Sequence, residues 1–232
     1  MIDMRPYRTL GGGHHGWLKS RHHFSFADYE EAERDCWGAL RAWNDNEIAP
    51  GSGFPAHPHA NVDIITYVRQ GAIIHDDNLG NRVRMEAGSV QVLSAGSGIR
   101  HSEYNAEGVP AHLFQIWIKP EQSGGRPEWT GLRFPNIDRA GQFVVFASGC
   151  QQDRDAAPLR SGARVLGVTL SAGQSVEYRP DPNRHLYLVP ASGSVLINGV
   201  HADARDGIAV SDEDSLILTA LEDCDIVMVD AP

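Results

Sequence analysis

The chain is short of cysteine, of long apolar runs and of positive charge. Its 232 residues include three cysteines, Cys36, Cys150 and Cys224, far apart and without a CxxC spacing. That argues against a disulfide framework or a cysteine-based zinc site and fits a reducing cytosol. Cys224 lies beside the apolar run Ile226–Val229 and reads as a small core residue. No segment approaches the ~20 consecutive apolar residues that span a bilayer, and Met1–Pro6 lacks the apolar centre of a signal peptide. The expected location is cytoplasmic. Lys and Arg number 20 against 30 Asp and Glu, a net charge of −10. Such a balance repels nucleic acid and anionic lipid at long range, so neither is expected as a direct partner. Amphipathic helical windows are also scarce; the best, Phe26–Cys36, is short and acidic.

What the chain does have is punctuation and histidine. Twenty-four glycines and 13 prolines divide it into short segments, as an all-β architecture requires. The first 35 residues, with Gly11-Gly12-Gly13 and the pairs His14-His15 and His22-His23, read as an irregular arm. Strand-like runs follow at 39–43, 62–69, 72–75, 82–85, 89–93 and 111–118, separated by turn signals such as Gln70-Gly71 and Leu79-Gly80-Asn81. A polar, breaker-rich stretch at 119–136 reads as a linker, and strand-like runs resume from Gln142 to Val229.

The two halves resemble one another. Asn61–Gly71 matches Asn183–Gly193, each a strand ending in a turn glycine, and Ala87-Gly88-Ser89-Val90 matches Asp206-Gly207-Ile208-Ala209. A repeat of this kind implies two tandem β-sandwich or jelly-roll-like barrel domains with few short helices. The division falls at 1–125 and 126–232.

Of the 11 histidines, three stand in a pattern that carries chemistry. His57-Pro58-His59 and His101-Ser102-Glu103 are each i, i+2 pairs, which on extended chain point both side chains to one face. Asp63 shares parity with His57 and His59. Three imidazoles and a carboxylate converging from two strands suit a divalent first-row metal with open positions, iron(II) most naturally, with Mn, Co, Ni, Cu or Zn as alternatives.

These residues carry a resemblance. Gly53–Gly71 and Gly88–Asn105 resemble the two motifs of the cupin superfamily. More narrowly, His22–Phe26, His57-Pro58-His59, Ser94–Glu103 and Gln115–Ile118 are similar to pirin-like proteins, above all the bacterial pirin-like quercetinases, over essentially the whole chain. The resemblance implies an all-β bicupin with iron held by His57, His59, His101 and Glu103 in the N-terminal barrel only. It implies a quercetin 2,4-dioxygenase activity that opens the flavonol heterocycle with release of carbon monoxide, Glu103 serving also as catalytic base. A flavonol-like aromatic molecule and dioxygen would then be the partners. The alternatives it leaves are an iron-binding regulator of transcription complexes and an oxygenase of another small phenol. Oligomeric state is open.

Asp63 stands where cupins usually carry Glu, and reads as a cavity group behind the ligands, with direct ligation as the alternative. Registering Gly71 on Gly193 puts Arg179 and Asp181 at the slots of His57 and His59. Registering Gly88 on Gly207 puts Ala220 and Glu222 at those of His101 and Glu103. Arginine and alanine offer a cation no donor, so the second barrel is expected to lack metal. His14 and His15 read as surface, and His75, His112 and His185 as interior or structural. His201 reads as solvated, and His22 and His23 either as packing for the arm or as groups facing a substrate.

Overall fold

Short runs of alternating burial, closed by glycine turns, give strands and almost nothing else. The computed structural model describes residues 1–134 and 139–232. The first series is β1 (Ile2–Arg5), β2 (Gly11–His14), β3 (Leu18–His22), β4 (Leu40–Ile48), β5 (Ser52–His59), β6 (Asp63–Gln70), β7 (Ala72–Asp77), β8 (Arg82–Glu86), β9 (Ser89–Ser94), β10 (Ile99–Asn105), β11 (Ala111–Ile118) and β12 (Glu128–Arg133). The second is β13 (Val144–Ser148), β14 (Ala157–Pro158), β15 (Arg164–Leu170), β16 (Ser175–Tyr178), β17 (His185–Ser192), β18 (Val195–Ile197), β19 (Val200–Ala202), β20 (Gly207–Val210), β21 (Leu216–Ala220) and β22 (Cys224–Ala231). Short 3-10 turns stand at Tyr7–Thr9 and Ala32–Arg34.

Each half makes a seven-stranded and a four-stranded sheet. The first pair runs β12-β9-β6-β11-β4-β3-β2 and β5-β10-β7-β8, the second β1-β20-β17-β22-β15-β13-β14 and β16-β21-β18-β19. The orders correspond strand for strand from β9 and β20 inward, so the architecture is two barrels of one topology. Backbone conformation marks the same correspondence. Asn61 and Asn183 have φ of 57° and 62°, and Gly71 and Gly193 have 73° and 75°, the left-handed region open mainly to Gly and Asn. At Gly193 a Cβ would also fall 2.4 Å from the Asp223 carbonyl oxygen.

Two strands cross the expected division at 125/126. β1 pairs antiparallel with β20, Ile2 opposite Val210, so the start of the chain completes the second barrel. β12 lies within the stretch read as a linker and pairs with β9, Glu128 opposite Ser94, completing the first. Residues 135 and 136 of that stretch fall outside the described residues. The first 35 residues are not an irregular arm: β2 and β3 form a hairpin that extends the sheet alongside β4. Nor is Phe26–Cys36 a helix. It has no apolar stripe to bury, and Phe26 instead packs edge-on against Trp117, ring centroids 5.1 Å apart.

The barrels pack back to back through their seven-stranded sheets. Alternation along β6 sends Ile65 and Tyr67 outward into a shared cluster with Phe146, Val227 and Val229, while Ile64, Thr66 and Val68 face the first barrel's interior. Each large apolar side chain fully buried there contributes roughly 1.5–3 kcal/mol. The contact is pinned by polar groups: the Tyr67 hydroxyl donates to Asp225 (2.6 Å), Arg139 pairs with the same carboxylate, and the Arg69 guanidinium donates to the Ala191 carbonyl (3.4 Å).

The interiors differ. The second barrel holds one continuous aliphatic cluster that includes Leu188, Ile197, Ile208, Leu218 and Met228. The first holds two smaller ones, around Ile48, Val68 and Leu113 and around Ile64, Leu93 and Ile99. Buried Thr66, Gln91, Glu103 and Gln115 are absent from both clusters and bond to one another.

Candidate metal centre

β5 carries Gly53, Pro55 and Pro58 yet is a strand, because it is the edge of its sheet, where a missing N–H costs least. Its pairing with β10 sets His57 opposite His101 and His59 opposite Ile99. The register slips between His101 and Glu103, which faces Phe54. The irregularity frees the Pro55 carbonyl to accept a hydrogen bond from His57 Nδ1 at 2.7 Å. A carbonyl only accepts, so the proton sits on Nδ1 and Nε2 keeps its lone pair for a ligand.

His57, His59 and His101 converge, with one ring nitrogen from each lying within 4.8 Å of the others. Ring centroids are 4.6 Å apart for His57 and His101, 4.7 Å for His57 and His59, and 5.1 Å for His59 and His101. Burial, reinforced by the neighbouring imidazoles, pushes His59 down to about 4 and His101 to about 3, so both rings are neutral, as ligation requires. His101 is 1% exposed and neither of its ring nitrogens has a hydrogen-bond partner. Orphaned buried polar atoms each cost about 1–3 kcal/mol, and a cation among the three imidazoles answers that cost. The donor set fits a divalent metal ion.

Glu103 joins this trio through His101: a second group of ligand atoms within 4.8 Å consists of His75, His101 and Glu103. The carboxylate is fully buried. Oε1 accepts from Gln91 Nε2 (2.6 Å) and Thr66 Oγ1 (3.2 Å), and Oε2 from Gln115 Nε2 (2.8 Å). Burial pushes its carboxyl up to about 7 against those donors.

Asp63 is elsewhere. The left-handed turn at Asn61 carries the chain from one sheet to the other, so the parity shared with His57 and His59 does not survive it. Asp63 instead accepts the Arg160 backbone N–H at 2.7 Å and is buried against the segment that enters the second barrel.

A cavity of about 270 Å³ opens on two of the three imidazoles, His57 and His59, and is bounded by Phe26, Phe54, Trp117, His22 and Asn44. Trp117 stands edge-on to His59, 5.1 Å between centroids, and its Nε1–H donates to Gln115 (3.3 Å), the residue that holds Glu103. His22 bonds Asn44 through Nδ1 (2.7 Å) and faces this cavity, whereas His23 is buried between the barrels against the Tyr187 hydroxyl (2.9 Å). His15, read as a surface residue, is exposed but borders the cavity. Thr66 and Gln91 belong to none of the chemical motifs read from the sequence, and Gln115 stands there only as the first residue of Gln115–Ile118. Their signal is a polar residue at an inward position of an otherwise apolar strand, as in Ser89-Val90-Gln91-Val92-Leu93.

The pairing corrects the slots assigned in the second barrel. Glu103 lies opposite His75, and His75 corresponds to Ile197, whose partner is Leu218. Two residues earlier, His101 corresponds to Leu216, and its cross-strand partner His57 to Tyr178. Leu216 and Leu218 therefore occupy the slots assigned to Ala220 and Glu222, and Tyr178 that of Arg179. Registering Gly88 on Gly207 failed because the pairings with β6 and β17 align Val90, not Gly88, with Gly207, and because His101 follows Gln91 by ten residues whereas Leu216 follows Ile208 by eight.

Two tandem barrels of one strand order make this a bicupin, and among the described residues both ligand clusters lie in its first barrel. The pirin family profile matches residues 3–118, and the quercetinase C-terminal cupin domain profile matches residues 145–231. A pirin-like protein of Caulobacter vibrioides is 57% identical over 100% of both chains, and a quercetin 2,3-dioxygenase of Escherichia coli K12 is 35% identical over 100% of this chain and 99% of its own. The crystal structure of the bacterial pirin YhhW of Escherichia coli in complex with nickel(II) has a TM-score of 0.94 at 35% identity, covering 100% of this chain and 99% of that one. The chain belongs to the pirin family. No helix among the described residues is long and apolar enough to cross a membrane.

Proposed function

We propose that His57, His59, His101 and Glu103 hold a divalent metal, iron(II) in the first instance, and that the protein opens the heterocycle of a flavonol with dioxygen, releasing carbon monoxide. The single observation that carries this reading is the aromatic-walled cavity of about 270 Å³ with His57 and His59 in its wall. It is at the small end of ligand sites, suited to one planar aromatic molecule without bulky substituents. When bound, the ion supplies Lewis acidity toward the substrate hydroxyl and a reaction partner for dioxygen. Phe26, Phe54 and Trp117 orient the rings and exclude water. His22 and Asn44 offer polar contacts on one wall. Glu103, the only carboxylate in the two clusters, accepts the hydroxyl proton. Gln115, which borders the cavity and bonds Glu103, keeps that carboxylate oriented. The names of the relatives in Escherichia coli support the same substrate class.

The test is oxygen consumption and headspace carbon monoxide with quercetin and iron-loaded protein. The expected result is turnover by the native protein and a loss of roughly 10²–10⁴-fold in Glu103→Gln with metal retained. Loaded protein inert toward quercetin would contradict the proposal and favour the regulatory role or another phenolic substrate.

A further inference from the structure

The metal reading assigns His101 one bond and leaves its other nitrogen unexplained. A neutral imidazole that ligates through one nitrogen carries its proton on the other, and in His101 that N–H is buried with no partner. One other imidazole nitrogen in the same cluster has the complementary defect. His75, on the neighbouring strand β7, is 0% exposed and its Nδ1 is also without a partner. The ring centroids of His75 and His101 are 5.4 Å apart, and the two residues contribute atoms within 4.8 Å of each other.

Which way His75 is protonated follows from its far side. Nε2 lies 2.9 Å from Asp77 Oδ2. Asp77 is itself fixed by the backbone N–H groups of Leu79 (2.9 Å) and Asn81 (3.0 Å) and by the Asn81 side-chain amide (2.9 Å). It accepts all of these, so it is an ionised carboxylate toward which His75 turns its Nε2–H. Nδ1 is then the acceptor. The ring plane is held by Trp129 of β12, stacked at 5.1 Å and 18°.

We propose that His75 is a positioning residue for the metal centre: Asp77 sets its tautomer, and its Nδ1 accepts the non-ligating N–H of His101, so that Asp77, His75 and His101 form one chain leading to the ion. Closing that bond satisfies two buried orphans together, on two rings already in one cluster. His75 is not a fifth ligand, because the interaction with Asp77 leaves it one free nitrogen and His101 is the neighbour that needs it. The inference rests on the metal reading and adds a residue that reading does not use. The second barrel carries Ile197 at this position, beside Leu216 and Leu218.

The test compares nickel(II) affinity, by chelator competition, for native protein, His75→Phe and His75→Asn. Phenylalanine keeps the stack on Trp129 but has no acceptor. Asparagine places an amide oxygen where Nδ1 stood. The expected result is a 10–100-fold weaker affinity in His75→Phe, the range for outer partners of metal-bound histidine. Most of that loss is restored in His75→Asn, although both variants lose the bond to Asp77 and melt below the native protein when metal-free. Nitrogen-15 spectra of the zinc-loaded native protein are expected to show His75 protonated at Nε2 and a slowly exchanging His101 ring N–H. Native affinity in His75→Phe, equal loss in both variants, or a His75 proton on Nδ1 would overturn the inference. Native protein that takes up no nickel would instead sink the metal reading itself, and this chain of imidazoles with it.

Discussion

The two barrels share a strand order and differ in what they enclose, position by position. Thr66 corresponds to Leu188, His75 to Ile197, Gln91 to Ile208, Glu103 to Leu218 and Gln115 to Met228, each pair related by the same cross-strand partners. In one barrel these positions form a hydrogen-bonded layer that separates two small apolar clusters. In the other they close into a single aliphatic core. The jelly-roll scaffold therefore dictates neither interior. A polar layer is tolerated only because every carboxylate oxygen of Glu103 has a donor, since a half-satisfied network costs more than an apolar core. His57 corresponds to Tyr178, which has turned its hydroxyl to Asp230 (2.5 Å), a carboxylate also held by Arg184. The position equivalent to a candidate ligand carries a structural hydrogen bond in the second barrel.

Exchanging residues between the barrels breaks this comparison most sharply. Leu218→Glu places in the second barrel the carboxylate that occupies the equivalent slot in the first, but among Leu188, Ile208 and Met228 it finds no donor. An uncompensated buried charge of this kind costs about 3–5 kcal/mol, and the urea midpoint of the variant is expected to fall accordingly. An unchanged midpoint would mean that the second interior already admits water. A smaller effect is expected from the reverse move. Thr66→Val removes one of three donors to Glu103 and keeps the shape of the residue, so the loss is roughly 1 kcal/mol by the same measurement. A loss as large as that of Leu218→Glu would show the polar layer to be far more cooperative than its pairwise bonds imply.

Much of this was legible in the sequence where one local signal sufficed. The repeat announced itself through Gly71 and Gly193, and the spacings of His57, His59, His101 and Glu103 marked the cluster because period-two alternation acts over neighbouring residues. What was missed depends on distant partners. Gly11-Gly12-Gly13 reads in sequence as part of an irregular arm, yet it lies in strand β2: a Cβ at Gly11 would fall 2.2 Å from the Tyr29 ring. β1 is four residues whose partner lies some two hundred positions away, and no local pattern announces it. β5 was hidden by prolines that only an edge strand accepts. Asp63 was misplaced because one left-handed residue, Asn61, moves the chain to the other sheet. His75 reads as an ordinary interior histidine, since nothing in the sequence brings Asp77 to one of its nitrogens and His101 to its other side.

The central claim is that one barrel binds metal and its twin does not. Elemental analysis of nickel-loaded, dialysed protein tests it directly in the native chain, His101→Ala and Tyr178→Ala. The account predicts one ion per chain in the native protein, less than a tenth of that in His101→Ala, and one ion in Tyr178→Ala. Two ions per chain in the native protein, or an ion that survives in His101→Ala and is lost in Tyr178→Ala, would contradict it.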